Sequence, residues 1–181
     1  MTRYAAWLRG IMPSNPNMRN EKLRAVFSGL GFDGVSSLLT SGNILFASDE
    51  TDIPALESRI QQALRAELGI AGGTIIRSRE QLRALVDTDP FPDLTHGRGT
   101  YLTVTFVKDG APQGDPGPLP AELESAVRIA GYDEQARAVL AVIDNMTPTT
   151  PNHMAWLEKV YGKDNVTTRT WLTVQKVLAK L

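Results

Sequence analysis

The sequence has no cysteine, only two histidines and almost no net charge. Its 181 residues carry 19 basic and 20 acidic side chains, a formal net charge of -1. The absence of cysteine excludes a disulfide framework, cysteine-ligated zinc or iron–sulfur centres, and thiol catalysis. The balanced charge argues against a protein that coats nucleic acid or membranes by bulk electrostatic attraction. The remaining composition, 42% hydrophobic and 22% charged residues, is typical of a globular protein.

Several recognisable motifs are also absent. No run of 18 apolar residues predicts a membrane span, and the residues that follow Met1 read as a strand rather than a charged leader and apolar stretch. A cytoplasmic location is therefore expected. The sequence has no HExxH, P-loop, G-x-G-x-x-G or G-x-S-x-G motif. We accordingly predict neither a metal nor a cofactor, and the sequence indicates no oligomeric state.

The near-zero net charge hides an uneven distribution. Residues 1–40 sum to +3, residues 41–134 to -7, and residues 135–181 to +3. Both ends are therefore mildly basic and the middle is acidic. This unevenness is compatible with chance scatter, and it is also compatible with an anion-binding role for the two ends.

The first 77 residues follow the order β-α-β-β-α-β. Alternating and 3.6-residue apolar periodicities, with turn and cap signals between them, mark the elements. This order is that of the split βαβ unit of ferredoxin-like folds. The predicted elements are a strand at 3–9, a helix at 20–30, strands at 35–40 and 44–48 joined by a turn at 41–43, a helix from Asp52 to Gly69, and a strand at 74–77.

The second half repeats this order less clearly. After a helix that begins with a Ser78–Gln81 capping box, strands are predicted at 101–107, 127–130, 138–143 and 166–168. Helices are predicted around Met154–Tyr161 and at 169–181, with a further short helix after Pro120. The predicted fold is therefore α+β, with two tandem ferredoxin-like units and a C-terminal helix. The predicted divisions are 1–77, a linking helix and loop at 78–100, and 101–181, packed as one globule.

The topology of the first unit predicts a candidate anion site. Antiparallel pairing of strands 1 and 3 would place Arg9 and Gly10 beside the Ser41-Gly42-Asn43 turn. Turn amides and a nearby helix start favour anions, and glycine permits close approach to the backbone. In the alternative interpretation Arg9 pairs with a neighbouring acid, and Gly42 and Asn43 serve only the turn.

The segment from Thr167 to Trp171 is a second candidate. Thr168 is predicted to cap the terminal helix, which would place Arg169 in the first helical turn. The helix dipole disfavours a positive charge in the first turn of a helix, so a bound anion would explain the presence of Arg169 at this position. In the alternative interpretation Thr168 only caps the helix, Trp171 packs in the core and the Arg169 side chain is exposed to solvent.

Other candidate residues carry weaker signals. His96 lies in a polar loop that suits a lid or a ligand contact, and His153 is expected on the surface at a helix start. An RNA-recognition domain shares the β-α-β-β-α-β order but needs exposed strand aromatics. Trp7 and Phe46 are the candidates, and the alternative is that they pack in the core or between the units.

Three segments together resemble the domain of unknown function 1697 family. They are Leu8-Arg9-Gly10-Ile11, Ser41-Gly42-Asn43 and Thr167-Thr168-Arg169. The resemblance implies a bacterial-type soluble protein built on ferredoxin-like units, and it implies no established activity. The chain departs from the family pattern at Met12-Pro13-Ser14-Asn15, usually Asn-Val-Gly-Gly, and at Thr170, usually Asn.

Three hypotheses about function follow. The leading one is binding of a small anionic or phosphorylated ligand by Arg9, Gly10, Ser41, Gly42, Asn43, Thr168 and Arg169. The two arginines would pair with the ligand charge, ideally as bidentate forks. The alternatives are a nucleic-acid-interacting module that uses the basic ends, and an enzyme acting on a phosphorylated metabolite with His96 as acid or base.

Overall fold

A computed structural model describes residues 1–149 and 151–181. Within these ranges the chain forms eight β-strands and five α-helices. The helices are α1 (Asn20–Gly29), α2 (Ile53–Leu68), α3 (Arg79–Asp87), α4 (His153–Tyr161) and α5 (Trp171–Lys180). The strands are β1 (Thr2–Leu8), β2 (Asp33–Ser37), β3 (Asn43–Ser48), β4 (Thr74–Ser78), β5 (Tyr101–Val107), β6 (Val127–Asp133), β7 (Ala138–Ile143) and β8 (Val166–Thr170).

The strands form two four-stranded antiparallel sheets with the same topology. The first sheet has the order β2-β3-β1-β4 and the second the order β6-β7-β5-β8. Each sheet thus places its first strand between its third and its last. This arrangement confirms the predicted α+β class, with two tandem split β-α-β units and a C-terminal helix.

The two units differ between their first and second strands. The first unit has α1 there, whereas in the second unit residues 121–126 form turns instead of the short helix predicted after Pro120. That prediction was wrong because the backbone here forms consecutive turns. The Leu123 amide donates to the Pro120 carbonyl and the Ala126 amide donates to the Leu123 carbonyl, and β6 begins at the next residue. The unit boundaries at 77 and 101 stay a prediction.

One apolar cluster lies between the two sheets. Alternate residues of β1 point to opposite faces, so Ala5 and Trp7 face the second sheet while Tyr4 and Leu8 face α1 and α2. The Trp7 ring stacks on Phe106 of β5, with ring centroids 4.9 Å apart. The interpretation of Trp7 as packing between the units is therefore confirmed. Helices α3 and α5 close the cluster with Leu82, Leu85, Trp171, Val174, Val177 and Leu178.

Side-chain caps fix several helix starts. Asp52 caps α2, and Ser78 forms the predicted capping box with Gln81 at the start of α3. The terminal helix differs from the prediction. It begins at Trp171 with Thr170 as its cap, because the β5–β8 ladder continues as far as the Thr103–Thr170 pair. Thr168 and Arg169 are therefore strand residues, and the predicted cap at Thr168 was wrong.

No helix within residues 1–149 and 151–181 combines the length and the apolarity needed to span a bilayer.

Candidate functional site

A cavity of about 330 Å³ opens where both units meet. It lies between the end of β1, the β2–β3 connection, β8 and the first turns of α4. We call it the Arg9 pocket. Its lining residues are Leu8, Arg9, Gly10, Ile11, Ser41, Met154, Thr167, Thr168 and Arg169. Five of the seven predicted site residues therefore line one cavity, whereas Gly42 and Asn43 are buried and lie outside its lining.

Arg169 reaches from the second unit into the first. All five of its guanidinium N–H donors are used, and every acceptor is an uncharged oxygen. Nε donates to Asn43 Oδ1 at 2.6 Å, Nη1 to Thr167 Oγ1 at 2.8 Å and the Thr168 carbonyl at 2.9 Å, and Nη2 to the Leu8 carbonyl at 2.8 Å and the Ser41 carbonyl at 3.0 Å. The predicted bidentate fork toward a ligand is thus occupied by protein oxygens.

The charge of Arg169 has no acidic partner. No carboxylate in residues 1–149 or 151–181 forms an ion pair with it. Desolvation by burial lowers its pKa to about 10, so the group still carries its proton at neutral pH. The guanidinium carbon lies 5.9 Å from the centre of the Trp7 ring, a cation–π arrangement that helps to hold it.

Arg9 pairs with a neighbouring acid, as in the alternative interpretation of the sequence. Its Nη2 donates to Glu158 on α4, and its Nη1 donates to the Val166 carbonyl at 2.9 Å. Asp164 lies farther away, 4.0 Å from Nε, and its side chain is 72% exposed. Each terminal nitrogen of Arg9 keeps one N–H that bonds to no described residue.

The Ser41–Asn43 connection is organised from within. Asn43 Nδ2 donates to the Leu38 carbonyl and to Ser41 Oγ, and its Oδ1 accepts from Arg169. Both N–H donors of this buried amide are therefore used, and none is left for an anionic ligand. Gly42 has φ +77°, and an added Cβ would lie 2.5 Å from Ile11 Cγ1. Turn geometry therefore accounts for both residues, whereas the exposed Ser41 hydroxyl can still donate.

Thr167 and Thr168 both line the pocket, but it is the Thr167 hydroxyl that contacts Arg169. The Thr168 hydroxyl bonds to that of Thr105 across the β5–β8 ladder. The neighbouring Thr167, which was not predicted as a site residue, lines the pocket and accepts from Arg169 through Oγ1. Because that oxygen acts as an acceptor, its own O–H remains available.

Neither histidine is among the residues that line this pocket. His96 Nδ1 accepts the Leu102 amide N–H at 3.2 Å, and its ring packs on Tyr101 with centroids 4.6 Å apart. His153 is 8% exposed, so its predicted surface position was wrong; α4 packs its first residue inward. Within the described ranges, no group of three or more acidic or histidine side chains could hold a metal ion.

A model of the family described as protein of unknown function (DUF1697) matches residues 1–139. The chain belongs to this family. The match covers the Leu8–Ile11 and Ser41–Asn43 segments but ends before Thr167. Because this is a family of unknown function, membership assigns no particular reaction to the chain.

A solved structure confirms the fold. The chain is similar to a conserved bacterial protein, SP0830, from Streptococcus pneumoniae, with a TM-score of 0.73 and 21% sequence identity. The similarity covers 100% of this chain and 98% of the other. No curated protein matches the sequence.

The two units clasp each other reciprocally, which the sequence did not reveal. Arg77 is the fourth residue of β4 and Arg169 the fourth residue of β8, and each precedes the residue that caps the next helix. Arg169 bonds to Leu8, the last residue of β1. Arg77 bonds to Val107, the last residue of β5. Each arginine thus joins the last strand of its own unit to the first strand of the other.

The equivalence extends to the hairpins and the aromatic rings. Arg169 reaches the β2–β3 connection at Ser41 and Asn43, and Arg77 reaches the β6–β7 connection at the Ala136 and Arg137 carbonyls. The Arg77 guanidinium lies 5.9 Å from the centre of the Phe106 ring, as Arg169 does from Trp7. The two sites differ in exposure, because Arg77 is 1% exposed whereas Arg169 borders the Arg9 pocket.

Three further residues, one that lines the pocket and two that contact Arg9, were not predicted. Met154 and Glu158 are four residues apart on α4 and so lie on the same side of the helix. Gly72 packs so closely on Arg9 that an added Cβ would overlap the Arg9 carbonyl oxygen. The helical spacing of Met154 and Glu158 was visible in the sequence, but nothing there showed that α4 covers the end of β1.

Proposed function

We propose that the chain binds a small anionic ligand, carrying a carboxylate or phosphate group, in the Arg9 pocket. The observation that carries this proposal is an open cavity in which the free N–H groups of Arg9 lie beside the uncompensated charge of Arg169. Arg9 and Arg169 contribute two positive charges, and Glu158 contributes one negative charge. Asp164 is largely exposed, so solvent screens its contribution. The wall of the pocket therefore has an excess of one positive charge, which a singly charged group would neutralise.

Several unused donors supply the contacts for such a group. The Ser41 and Thr167 hydroxyls are free to donate, and Arg9 has a free N–H on each terminal nitrogen. The amides of Gly10 and Ile11 donate to no group in residues 1–149 and 151–181. In this arrangement Arg9 contacts the ligand directly, whereas Arg169 acts through its charge while its N–H groups hold the two units together.

The alternative functions have less support. Trp7 and Phe46 are 0% and 2% exposed, so neither offers a face on which an RNA base could stack. His96, the residue assigned to an enzymatic mechanism, uses Nδ1 to hold the start of β5 and does not line the Arg9 pocket. The anion-binding hypothesis is the one whose residues come together.

Binding should be measured by thermal shift and calorimetry with inorganic phosphate and a panel of carboxylated and phosphorylated metabolites. A ligand at ten times its Kd stabilises the native state by about 1.4 kcal/mol, which raises the Tm of a chain of this size by about 3–6 °C. A flat response across millimolar concentrations of the whole panel would contradict the proposal.

The Arg9–Glu158 pair allows a test with opposite expected signs. Glu158→Gln adds one unit of positive charge, worth about 0.7–1.4 kcal/mol at about 6 Å and an effective dielectric constant of 40–80, or about three- to tenfold tighter binding. Asp164→Asn makes the same charge change at an exposed position and should alter affinity less than twofold, roughly the effect of a screened charge.

Removing both members of the pair separates contact from charge. Arg9→Gln combined with Glu158→Gln leaves the net charge unchanged but deletes the guanidinium donors. Hydrogen bonds to charged groups contribute about 1.5–3 kcal/mol, so affinity should fall at least about tenfold. Arg128→Gln is the control, because Arg128 lies on β6, at the opposite edge of the second sheet from β8. Equal affinity in the double variant and in Arg128→Gln would remove Arg9 from the site.

A further inference from the structure

A second cavity, of about 440 Å³, shares a wall with the Arg9 pocket. It lies at the end of the second sheet, where β5 begins, β7 ends and α4 starts, and we call it the Tyr101 cavity. Its lining includes Tyr101, Ile143, Pro151, His153 and Met154. Met154 also lines the Arg9 pocket, so a single side chain borders both spaces. Each volume falls within the range of about 300–1,000 Å³ that small-molecule sites occupy.

The register of the second sheet places the two cavities along one face of that sheet. Tyr101 and Thr105 are both on β5 and are separated by an even number of residues, so they point to the same side. Tyr101 is paired with Ile143 of β7, and Thr105 with Thr168 of β8, so all four residues share that side. Ile143 lines the Tyr101 cavity and Thr168 lines the Arg9 pocket. The two cavities are therefore about 13 Å apart along the strands.

The wall of the Tyr101 cavity is mainly apolar. His153 borders it, but both nitrogens of the imidazole ring are sealed from solvent, so this ring offers no hydrogen bond to an occupant. Asn152 uses its side-chain oxygen to cap α4. Most of the remaining wall comes from Tyr101, Ile143, Pro151 and Met154. Such a surface favours an apolar occupant, because the contact removes hydrocarbon from water on both sides.

The Arg9 pocket determines the other end of the occupant. Its wall has an excess of one positive charge, and Ile11 and Met154 add apolar surface beside the arginines. A carboxylate carries one negative charge at neutral pH, whereas a phosphate monoester carries about -1.5 to -2. The carboxylate therefore matches the charge of this wall more closely.

We propose that the protein binds an aliphatic monocarboxylate, with its carboxylate in the Arg9 pocket and its hydrocarbon tail passing Met154 into the Tyr101 cavity. The position of the carboxylate rests on the proposed function, whereas the apolar site rests only on the Tyr101 cavity. A tail of about eight to twelve carbons covers the separation of the cavities, since each carbon–carbon bond is about 1.5 Å long. Met154 is 42% exposed, and its unbranched thioether can adapt to an apolar tail.

Methyl groups report on the two cavities separately. In protein labelled with ¹³C at the isoleucine δ1 and methionine ε methyl groups, Ile11 reports on the Arg9 pocket, Ile143 on the Tyr101 cavity and Met154 on both. Acetate should shift the NMR signals of Ile11 and Met154 only. Decanoate should shift all three, and the uncharged 1-octanol should shift Ile143 and Met154 only. Ile60, which is buried on α2 in the core of the first unit, is the internal control.

Affinity should depend on both the tail and the charge. Each buried methylene group strengthens binding about fourfold, so decanoate should bind at least about 50-fold more tightly than acetate. Glu158→Gln should strengthen decanoate binding about three- to tenfold, as it does for any singly charged anion in the Arg9 pocket. Binding of 1-octanol should not respond to this substitution, because the alcohol carries no charge.

Met154→Gln tests the wall that the two cavities share. Glutamine has a similar length but a polar end, so decanoate affinity should fall at least about fivefold while acetate affinity stays unchanged. Met146→Gln is the matched control, because Met146 is 64% exposed and lines neither cavity. Equal decanoate affinity in the two variants would overturn the path of the tail past Met154.

The failures of the two proposals are distinguishable. If acetate and decanoate bind equally and Ile143 does not shift, the apolar site is wrong and the anion pocket stands. If 1-octanol shifts Ile143 but neither carboxylate shifts Ile11, the proposed function and the joined ligand are wrong and the apolar site stands. If decanoate shifts Ile60 as much as Ile143, its binding is unspecific and the proposal is overturned.

Discussion

Replacing Arg169 by lysine should destabilise the chain while preserving its charge. Lysine has three N–H donors on one nitrogen, whereas Arg169 uses five in a planar fork. At least two of the five uncharged acceptors therefore lose their partner. Each hydrogen bond from a charged donor contributes about 1.5–3 kcal/mol. Because the adjacent Arg9 pocket admits water, which can replace part of that bonding, we expect the lower limit, a loss of about 3 kcal/mol.

The loss should be measured by equilibrium unfolding in urea. A decrease of about 3 kcal/mol at an unchanged m-value would indicate a less stable native state rather than a changed denatured state. For a chain of this length the same loss lowers the Tm by about 6–12 °C. Arg128→Lys, at an exposed position on β6, is the matched control and should change the free energy of unfolding by less than about 0.5 kcal/mol.

Substitution of Arg77 by lysine tests the same interpretation at the second inter-unit contact. Arg77→Lys removes the equivalent clasp, and because Arg77 is almost fully buried water cannot replace its bonds. It should therefore destabilise the chain at least as much as Arg169→Lys. A loss below about 1 kcal/mol in both variants would be no larger than an average point substitution, and it would refute the view that these arginines hold the units together.

Three further predictions concern the surroundings of the clasp. Gly42→Ala should lower the free energy of unfolding in urea by about 2–4 kcal/mol, since it combines an unfavourable positive φ with overlap on Ile11. At Gly29 an added Cβ meets nothing, so a loss no larger than that of Gly29→Ala would contradict this prediction. Trp7→Leu should cost about 2–4 kcal/mol because it deletes both the Phe106 stack and the ring under Arg169, and full two-state stability in the variant would count against the shared core. Burial raises the pKa of Glu57 above 4.5 in the native state, so the native state binds the proton more tightly than the unfolded state does. The free energy of unfolding should therefore fall as pH rises from 4.5 through that raised pKa. Glu57→Gln should not show this fall, and identical pH slopes in the variant and the wild type would exclude Glu57 as its source.

Local sequence signals predicted most of the first unit. The periodicity of α1 and α2, the capping box at Ser78 and the left-handed Gly69 all depend on residues within a few positions of one another. The antiparallel pairing of β1 and β3 followed from the topology alone, and it placed Arg9 beside Ser41. Five of the predicted site residues line one cavity because one well-defined unit supplies three of them. That this cavity binds a ligand stays a prediction.

The same reasoning failed where contacts are long-range. Thr168 and Thr170 are equally good caps, and only the length of the β5–β8 ladder decides between them. Glu158 is 149 residues from Arg9 in the chain, so no local pattern could pair them. Arg169 was expected in a helical turn, where it would need an anion, whereas its five acceptors come from strands and loops of both units.

The reciprocal clasp changes what the presence of Arg169 can prove. Arg77 occupies the equivalent position and bonds in the same way, yet it is sealed from solvent, so an arginine at this point of the fold serves to join the two units whether or not a ligand binds. Evidence for function must therefore come from what the two halves do not share.

At the first clasp, Arg9 follows β1 and pairs with the Glu158 carboxylate beside an open pocket. At the second, Lys108 follows β5 and donates to the uncharged Gln61. A cavity of about 240 Å³ also borders Lys108 and Gln61, and Arg77 is not among its lining residues. The Arg9 pocket differs from it because Arg169 forms part of the wall and because the ion pair of Arg9 and Glu158 lies beside it. We therefore expect that substitutions of Arg9 and Glu158, rather than of Arg169, will separate ligand binding from folding.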